Sequence, residues 1–166
     1  MAKIKNVIFH CSVSDIGDRE LIREWHLERG WRDIGYNGVI LNGQRRVHAY
    51  DAEIDGLFEE GRSLDFSDTI EYEEQAAHAL GYNHNSIGIC LIGIDLFTVK
   101  QFQTALSIAR VFKSINPGID IKGHYEVPTT DKTCPNFDMD AFRAVLYTND
   151  FSDIHIEKHF KSSLRR

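Results

Sequence analysis

Cysteine, proline and basic charge are scarce in this sequence, and each scarcity excludes something. Three cysteines, Cys11, Cys90 and Cys134, are an odd number and make no disulfide framework. In a reducing compartment, a cysteine with a special task is a metal ligand or a nucleophile. Three prolines and no low-complexity tract leave no linker, so the 166 residues read as one domain, long enough to bury a substantial core. The apolar run near the start, Val7-Ile8-Phe9, is far too short for a signal-peptide core or a membrane span. The chain is therefore expected in the cytoplasm, without stable membrane association. Basic residues number 19 against 25 acidic ones, for a net charge of −6. Nucleic-acid binding draws much of its affinity from a basic face, and this balance argues against it. The small basic end, Lys161 and Leu164-Arg165-Arg166, reads as a frayed tail.

What is present is an ordinary globular composition, 42% apolar and 27% charged, with strand and helix patterns in alternation. Val7 to Cys11 reads as a first strand. From Asp18, Leu21, Ile22 and Trp25 recur at helical spacing up to Gly30. Tyr36 to Leu41 is β-like, and Asn42-Gly43 is a hairpin signal. Gln44 to Asp68 is charged and mixed, an irregular excursion with one short strand around Leu57-Phe58. Ile87 to Gly93 is almost continuously apolar, as in a central strand buried on both faces. Thr98 to Gln101 is a capping-box pattern that opens an amphipathic helix through Ile115, stopped by Pro117-Gly118. Ile119 to Lys122 is a short strand, and Asp138 to Tyr147 is a last amphipathic helix. This order predicts a single α/β domain, a central mixed β-sheet flanked by helices, over 1–147. Residues 148–166 form a partly helical C-terminal tail and no separate domain.

One loop concentrates chemistry: "GHYEVPTTDKTCP", from Gly123 to Pro135, carries His124, Lys132 and Cys134. Imidazole and thiolate bind zinc, and a catalytic zinc site keeps three protein ligands and one open position. His10, at the end of the first strand, is the natural third ligand, although a core histidine at a strand end is the other reading. Neighbours on a strand point to opposite faces, so His10 is assigned to the site and Cys11 to packing. Lys132 is charged, has no lone pair to offer a metal, and suits an oxyanion instead. A dication that activates water, together with such a lysine, suggests hydrolysis of an amide.

Four motifs then occur in order: "IFHCSVSD", "REWHLERGWRDIGYNGVI", "GYNHNSIGICLIG" and "GHYEVPTTDKTCPNFD". From about Asn6 to about Phe142 the chain resembles zinc-dependent N-acetylmuramoyl-L-alanine amidases of the amidase-2 or peptidoglycan-recognition type. Among these it is most similar to the T7 class of phage lysozymes, or endolysins. The resemblance implies a mixed sheet flanked by helices. It also implies one Zn2+ ion held by His10, His124 and Cys134, with Tyr36 and Lys132 catalytic and His78 in "AAHALGYN" binding substrate. The implied substrate is peptidoglycan, cut between N-acetylmuramic acid and L-alanine. The implied role is host lysis by a phage or prophage enzyme, cytoplasmic until the membrane is disrupted and acting as a monomer on the wall. The absence of a wall-binding domain after Tyr147 is expected to go with a thin-walled host. The chain departs from many relatives at Asn37 and Gly38, after the tyrosine, and has longer segments at Gln44 to Glu74 and at Thr129-Thr130-Asp131. A cytoplasmic muropeptide-recycling amidase and a non-catalytic peptidoglycan-binding module are the competing readings; Cys134 speaks against the second.

The remaining histidines read blandly. His26 and His48 are expected to be partly exposed, and His84 to sit in a surface turn. His155 and His159 stand one helical turn apart, but Glu157 is misplaced for an H-E-x-x-H zinc helix, which leaves a solvated face. Cys90 lies within a buried strand and reads as structural.

Overall fold

The computed structural model describes residues 1–165. In chain order its elements are β1 (Ala2–Lys3), β2 (Asn6–Cys11), α1 (Arg19–Glu28), β3 (Gly38–Asn42), β4 (Asp55–Glu60), β5 (Thr69–Ile70), β6 (Ser86–Leu91), α2 (Val99–Ile115), β7 (Asp120–Gly123), α3 (Met139–Thr148) and α4 (Asp153–His159). A 3-10 turn, His124–Glu126, follows β7 directly. Five strands form one sheet in the order β4-β3-β6-β2-β7. Its inner pairs are parallel, and β4 lies antiparallel on the edge. This is the mixed sheet expected from strands alternating with helices. β1 and β5 make a separate two-stranded antiparallel pair, which the sequence reading missed.

Strand parity divides the core. Val7, Phe9 and Cys11 of β2, with Ile87, Ile89 and Leu91 of β6, face a large cluster that includes Phe102, Phe112, Phe142 and Phe160. The opposite parity, Val39, Leu41, Cys90 and Ile92, packs with Ile22 of α1 and with Ile34. Helices α2 to α4 thus cover one face of the sheet and α1 the other. Every residue of β2 and β6 is buried, which explains their nearly continuous apolar sequence.

Helix α2 starts at the expected capping box. Thr98 Oγ1 accepts from Gln101 N–H, and Gln101 Oε1 accepts from Thr98 N–H, each at 3.0 Å. Gln101 is fully buried, and its Nε2 donates to the carbonyls of Ile40 (3.0 Å) and Ile92 (2.9 Å). One side chain therefore caps the helix and ties it to the ends of β3 and β6.

Several expectations are corrected. Asn42-Gly43 does not close a tight hairpin. Gly43 does turn with φ 84°, but β3 and β4 pair across the whole segment from Gly43 to Ile54. The excursion also contains a full six-residue edge strand, β4, rather than a short one. The C-terminal end is not frayed over its described part. Phe97 N–H donates to Ser163 O (2.8 Å), Arg165 N–H donates to Phe97 O (2.7 Å), and Arg165 pairs with Asp15. Arg166 lies outside the described residues. The segment after α3 carries α4, whose Ile156 is buried, and Phe160 beyond it stacks on Phe102 with centroids 4.0 Å apart. His155 and His159 sit on the outer part of α4 with rings 4.5 Å apart. His48 and His84 are exposed, as expected.

His26 is the reverse of its expectation. It is 6% exposed, its ring lies against Trp31 (4.4 Å), and its Nδ1 accepts the N–H of Gly35 at 2.9 Å. Helical periodicity placed it on α1 but could not show that the chain returns after Trp31 to cover it. Burial first, then the charges of Arg29 and Arg62, lower its pKa from 6.5 to about 4.

Two outcomes follow. Gln101→Leu strands the Ile92 carbonyl and the Thr98 amide in the core and leaves the Ile40 carbonyl with the Ile92 N–H alone. It is expected to lower the unfolding free energy by roughly 2–4 kcal/mol, read as an earlier urea midpoint at unchanged slope. His26 is neutral in the fold and protonates more readily when unfolded. Its stabilisation is complete above about pH 6.5 and is lost as pH falls toward about 4. In metal-free protein, the fall in thermal midpoint across that window should be shallower for His26→Gln than for the parent. Equal slopes would remove His26 from the acid response.

Candidate metal centre and active site

Two of the sequence-predicted ligands are brought together by strand register alone. β2 and β7 run parallel with Phe9 opposite Gly123. The next residues, His10 and His124, therefore leave the sheet side by side at its C-terminal edge, where α/β sheets gather reactive groups. Their ring centroids are 4.5 Å apart. Close approach at this edge requires a glycine: a Cβ on Gly123 would lie 2.8 Å from Pro135 Cδ and 2.9 Å from Met139 Cγ. Parity turns His10 away from the Phe9 and Cys11 face, as expected.

The third group returns by loop. Tyr125 N–H donates to the Cys134 carbonyl (2.9 Å), and Cys11 N–H donates to the Cys134 sulfur (3.2 Å). Cys11 packs in the core as expected, yet it also touches the site through this amide, and its own sulfur accepts from Asn136 Nδ2 at 3.5 Å. The donor atoms of His10, His124 and Cys134 all lie within 4.8 Å of one another.

This donor set fits a metal ion. Two imidazoles and one thiol are a zinc combination, and three ligands leave a fourth position for water or substrate. The histidines are kept neutral, as ligands must be. Burial lowers the pKa of His10, helped by His78 and His124; burial and the charge of Lys132 lower that of His124. The Cys134 thiol is raised by its hydrogen bond with Cys11 and by burial. Holding it as a thiolate therefore takes a strong positive partner, which a dication supplies.

Tyr36 flanks the ligands, with its ring 5.1 Å from His10 and 5.5 Å from His26. Burial, then the thiols of Cys90, Cys134 and Cys11, raise its pKa, so the hydroxyl stays protonated and can donate. The bond from Gly35 N–H to His26, one residue before Tyr36, fixes the approach of this loop. On the other side Asn37 is fully buried. Its Nδ2 donates to Glu74 O (2.7 Å) and its Oδ1 accepts from Gly88 N–H (2.9 Å). Asn37, one of the positions at which the chain departs from many relatives, thus serves as a bracket between β6 and the 71–75 segment. Lys132 is exposed at the rim, on a loop that also carries Thr130 and Thr133.

His78, for which the resemblance implies substrate binding, is 7% exposed, and both of its ring nitrogens have partners within the protein. Nδ1 is 2.9 Å from His10 Nε2, and Nε2 is 3.1 Å from Ser86 Oγ. No polar atom of the ring is left for a ligand. Ser86 and His26 were both missed as supports of the site. The parity of Ser86, Gly88 and Cys90 shows that they share a face of β6, but not which strand's residue lies over them.

Comparison with known proteins agrees with this geometry. The chain is 36% identical over 147 residues to the endolysin of Escherichia phage T7, across 80% of this chain and 81% of that protein. It is 34% identical over 122 residues to peptidoglycan-recognition protein LB of Drosophila melanogaster, 69% of this chain and 43% of that protein. Among solved structures, the fold matches the endolysin N-acetylmuramoyl-L-alanine amidase LysCS from Clostridium intestinale. The TM-score is 0.68 and the identity 23%, across 88% of this chain and 85% of that one. The sequence model of one family, described as N-acetylmuramoyl-L-alanine amidase, matches residues 2–137. With most of its length matched, and with the His10, His124 and Cys134 cluster at its sheet edge, this chain belongs to the N-acetylmuramoyl-L-alanine amidase family of the amidase-2 type.

Proposed function

We propose that the chain hydrolyses the amide between the lactyl group of N-acetylmuramic acid and L-alanine in peptidoglycan, as a phage or prophage endolysin. The observation that carries the site assignment is the β2–β7 register, which sets His10 beside His124, with Cys134 bonded to the Cys11 amide. A zinc ion held by His10, His124 and Cys134 would supply Lewis-acid polarisation of the scissile carbonyl and an activated water. The reaction adds the hydroxyl of water to the lactyl carbonyl carbon and breaks the C–N bond. The remaining proton goes to the departing L-alanine nitrogen.

The chain's own residues have separate tasks in this reading. Tyr36 offers a hydroxyl donor beside His10 and orients the attacking group. Lys132 brings a positive charge to the carbonyl oxygen as negative charge grows there. Its position at the rim, on a loop open to solvent, suits a group that meets substrate rather than one that builds the fold. Four phage endolysins at 34–36% identity support the lytic role over muropeptide recycling. Among the described residues no helix is long and apolar enough to cross a membrane. In this role the enzyme waits in the cytoplasm and reaches the wall as a monomer once the membrane is breached.

Cys134→Ser is expected to lose zinc and activity together; a zinc-loaded, active variant would rule out the ligand set. Lys132→Ala should keep its zinc while turnover falls about 100- to 1,000-fold, the usual cost of one oxyanion donor. The assay is the release of L-alanine amino groups from purified peptidoglycan, with reducing ends counted separately. New amino groups without reducing ends, lost on chelation and restored by zinc, identify the amidase. Turnover on intact sacculi well above that on a soluble muropeptide distinguishes the endolysin from a recycling enzyme.

A further inference from the structure

Behind His10 lies a run of buried hydrogen bonds whose direction can be read from one end. Ser86 is fully buried, and its Oγ is 2.7 Å from the Tyr82 carbonyl. A carbonyl only accepts, so the single Ser86 hydroxyl proton is spent there. Toward His78 Nε2, 3.1 Å away, Ser86 Oγ can then only accept, and the proton of that bond sits on His78 Nε2. Neither His78 nor His10 has a carboxylate partner among the described residues, and both rings are buried, where an unpaired charge is costly, so both are neutral. A neutral ring protonated at Nε2 presents a bare lone pair at Nδ1. The His10 Nε2 atom, 2.9 Å from that lone pair, must therefore carry the proton and donate it. His10 is left with Nδ1 unprotonated.

We propose that His78 is a positioning residue, which through Ser86 and the Tyr82 carbonyl fixes His10 in the tautomer whose Nδ1 lone pair is free to hold the metal. Metal-bound histidines need one ring nitrogen bare, and a partner on the other nitrogen sets which one and fixes the ring plane. Here that partner is a second histidine instead of a carboxylate or a carbonyl. The two rings meet edge to face, with centroids 5.0 Å apart at 89°.

The surrounding chain is shaped to hold His78 in this place. A Cβ on Gly88 would lie 2.5 Å from His78 Cγ and 2.8 Å from its Nδ1, so only glycine lets the ring rest on β6. The register pairs Ile8 with Gly88 and His10 with Cys90, which brings His78 alongside His10. The amides of His78 and Ala79 both donate to Asn83 Oδ1, at 3.0 and 2.9 Å, and pin the segment that carries the ring.

The assignment of the metal to His10, His124 and Cys134 is the reading on which this rests, so the test is split. In zinc-free, 15N-histidine-labelled protein, the imidazole spectrum should show His10 as the pure Nε2–H tautomer. Ser86→Ala should turn it into a mixture, since His78 then has no acceptor to fix its proton. A pure Nε2–H signal in Ser86→Ala, or an Nδ1–H tautomer in the parent, overturns the proposal without any metal being involved. In competition with a chromophoric chelator, His78→Leu should bind zinc about 10- to 100-fold more weakly than the parent, as for other partners of metal-bound histidines. His78→Gln, whose carbonyl can accept from His10 while its amide donates to Ser86, should recover most of that loss. Unchanged zinc affinity in folded His78→Leu, or no recovery in His78→Gln, would sink the idea. A parent that retains no zinc but shows the expected tautomer would refute the ligand set and leave the histidine relay standing.

Discussion

The parallel pairing of β2 with β7 is the constraint on which the rest of the site depends. Register in a sheet is quantised, and a slip of one residue would send His10 to the opposite face. With Phe9 opposite Gly123, the two histidines that follow emerge at the same height on one edge. The loop to Cys134 then needs only to return to that edge, and amides at Tyr125 and Cys11 receive it there. Apolar packing enforces the register: Val7, Phe9 and Cys11 lie in the aromatic core under α2, α3 and α4. The aromatic stack that reaches Phe160 after α4 belongs to the same cluster and backs β2 from the far side of the sheet.

Around this edge the chain places neutral hydrogen-bonding groups at buried positions. Gln101, Asn37, His26 and His78 are each buried; His26 ties α1 to the loop that follows it, and the other three join segments distant in sequence. Amides and neutral imidazoles do this without the desolvation cost of a buried charge. The charged members of the site are kept outward, with Lys132 on an exposed loop. A buried, neutral shelf beneath an exposed positive charge suits an amidase, where charge develops on substrate oxygen rather than in the core.

Much of the fold was legible because periodicity reports burial. The alternation of strands and helices, the capping box at Thr98, the doubly buried β6 and the helix stops all appear where the sequence places them. The errors fall where the signal is local but the outcome is not. Asn42-Gly43 has turn chemistry and does turn, yet the strands it joins lie far apart along the chain. His26 has the spacing of a half-exposed helix residue, and a returning loop covers it. The basic C-terminal end looks like a tail and is stitched to Phe97.

By itself, the sequence determined the class of fold, the residue types able to hold a metal and the order of the motifs that mark the family. These properties are written in periodicity, side-chain chemistry and spacing, which survive without coordinates. Only the tertiary structure decided that His78 lies against His10, that Asn37 joins β6 to the 71–75 segment, and which nitrogen of His10 is bare. Those depend on hydrogen-bond partners 8 to 68 residues away along the chain, and a hydrogen bond has a direction that no linear spacing contains.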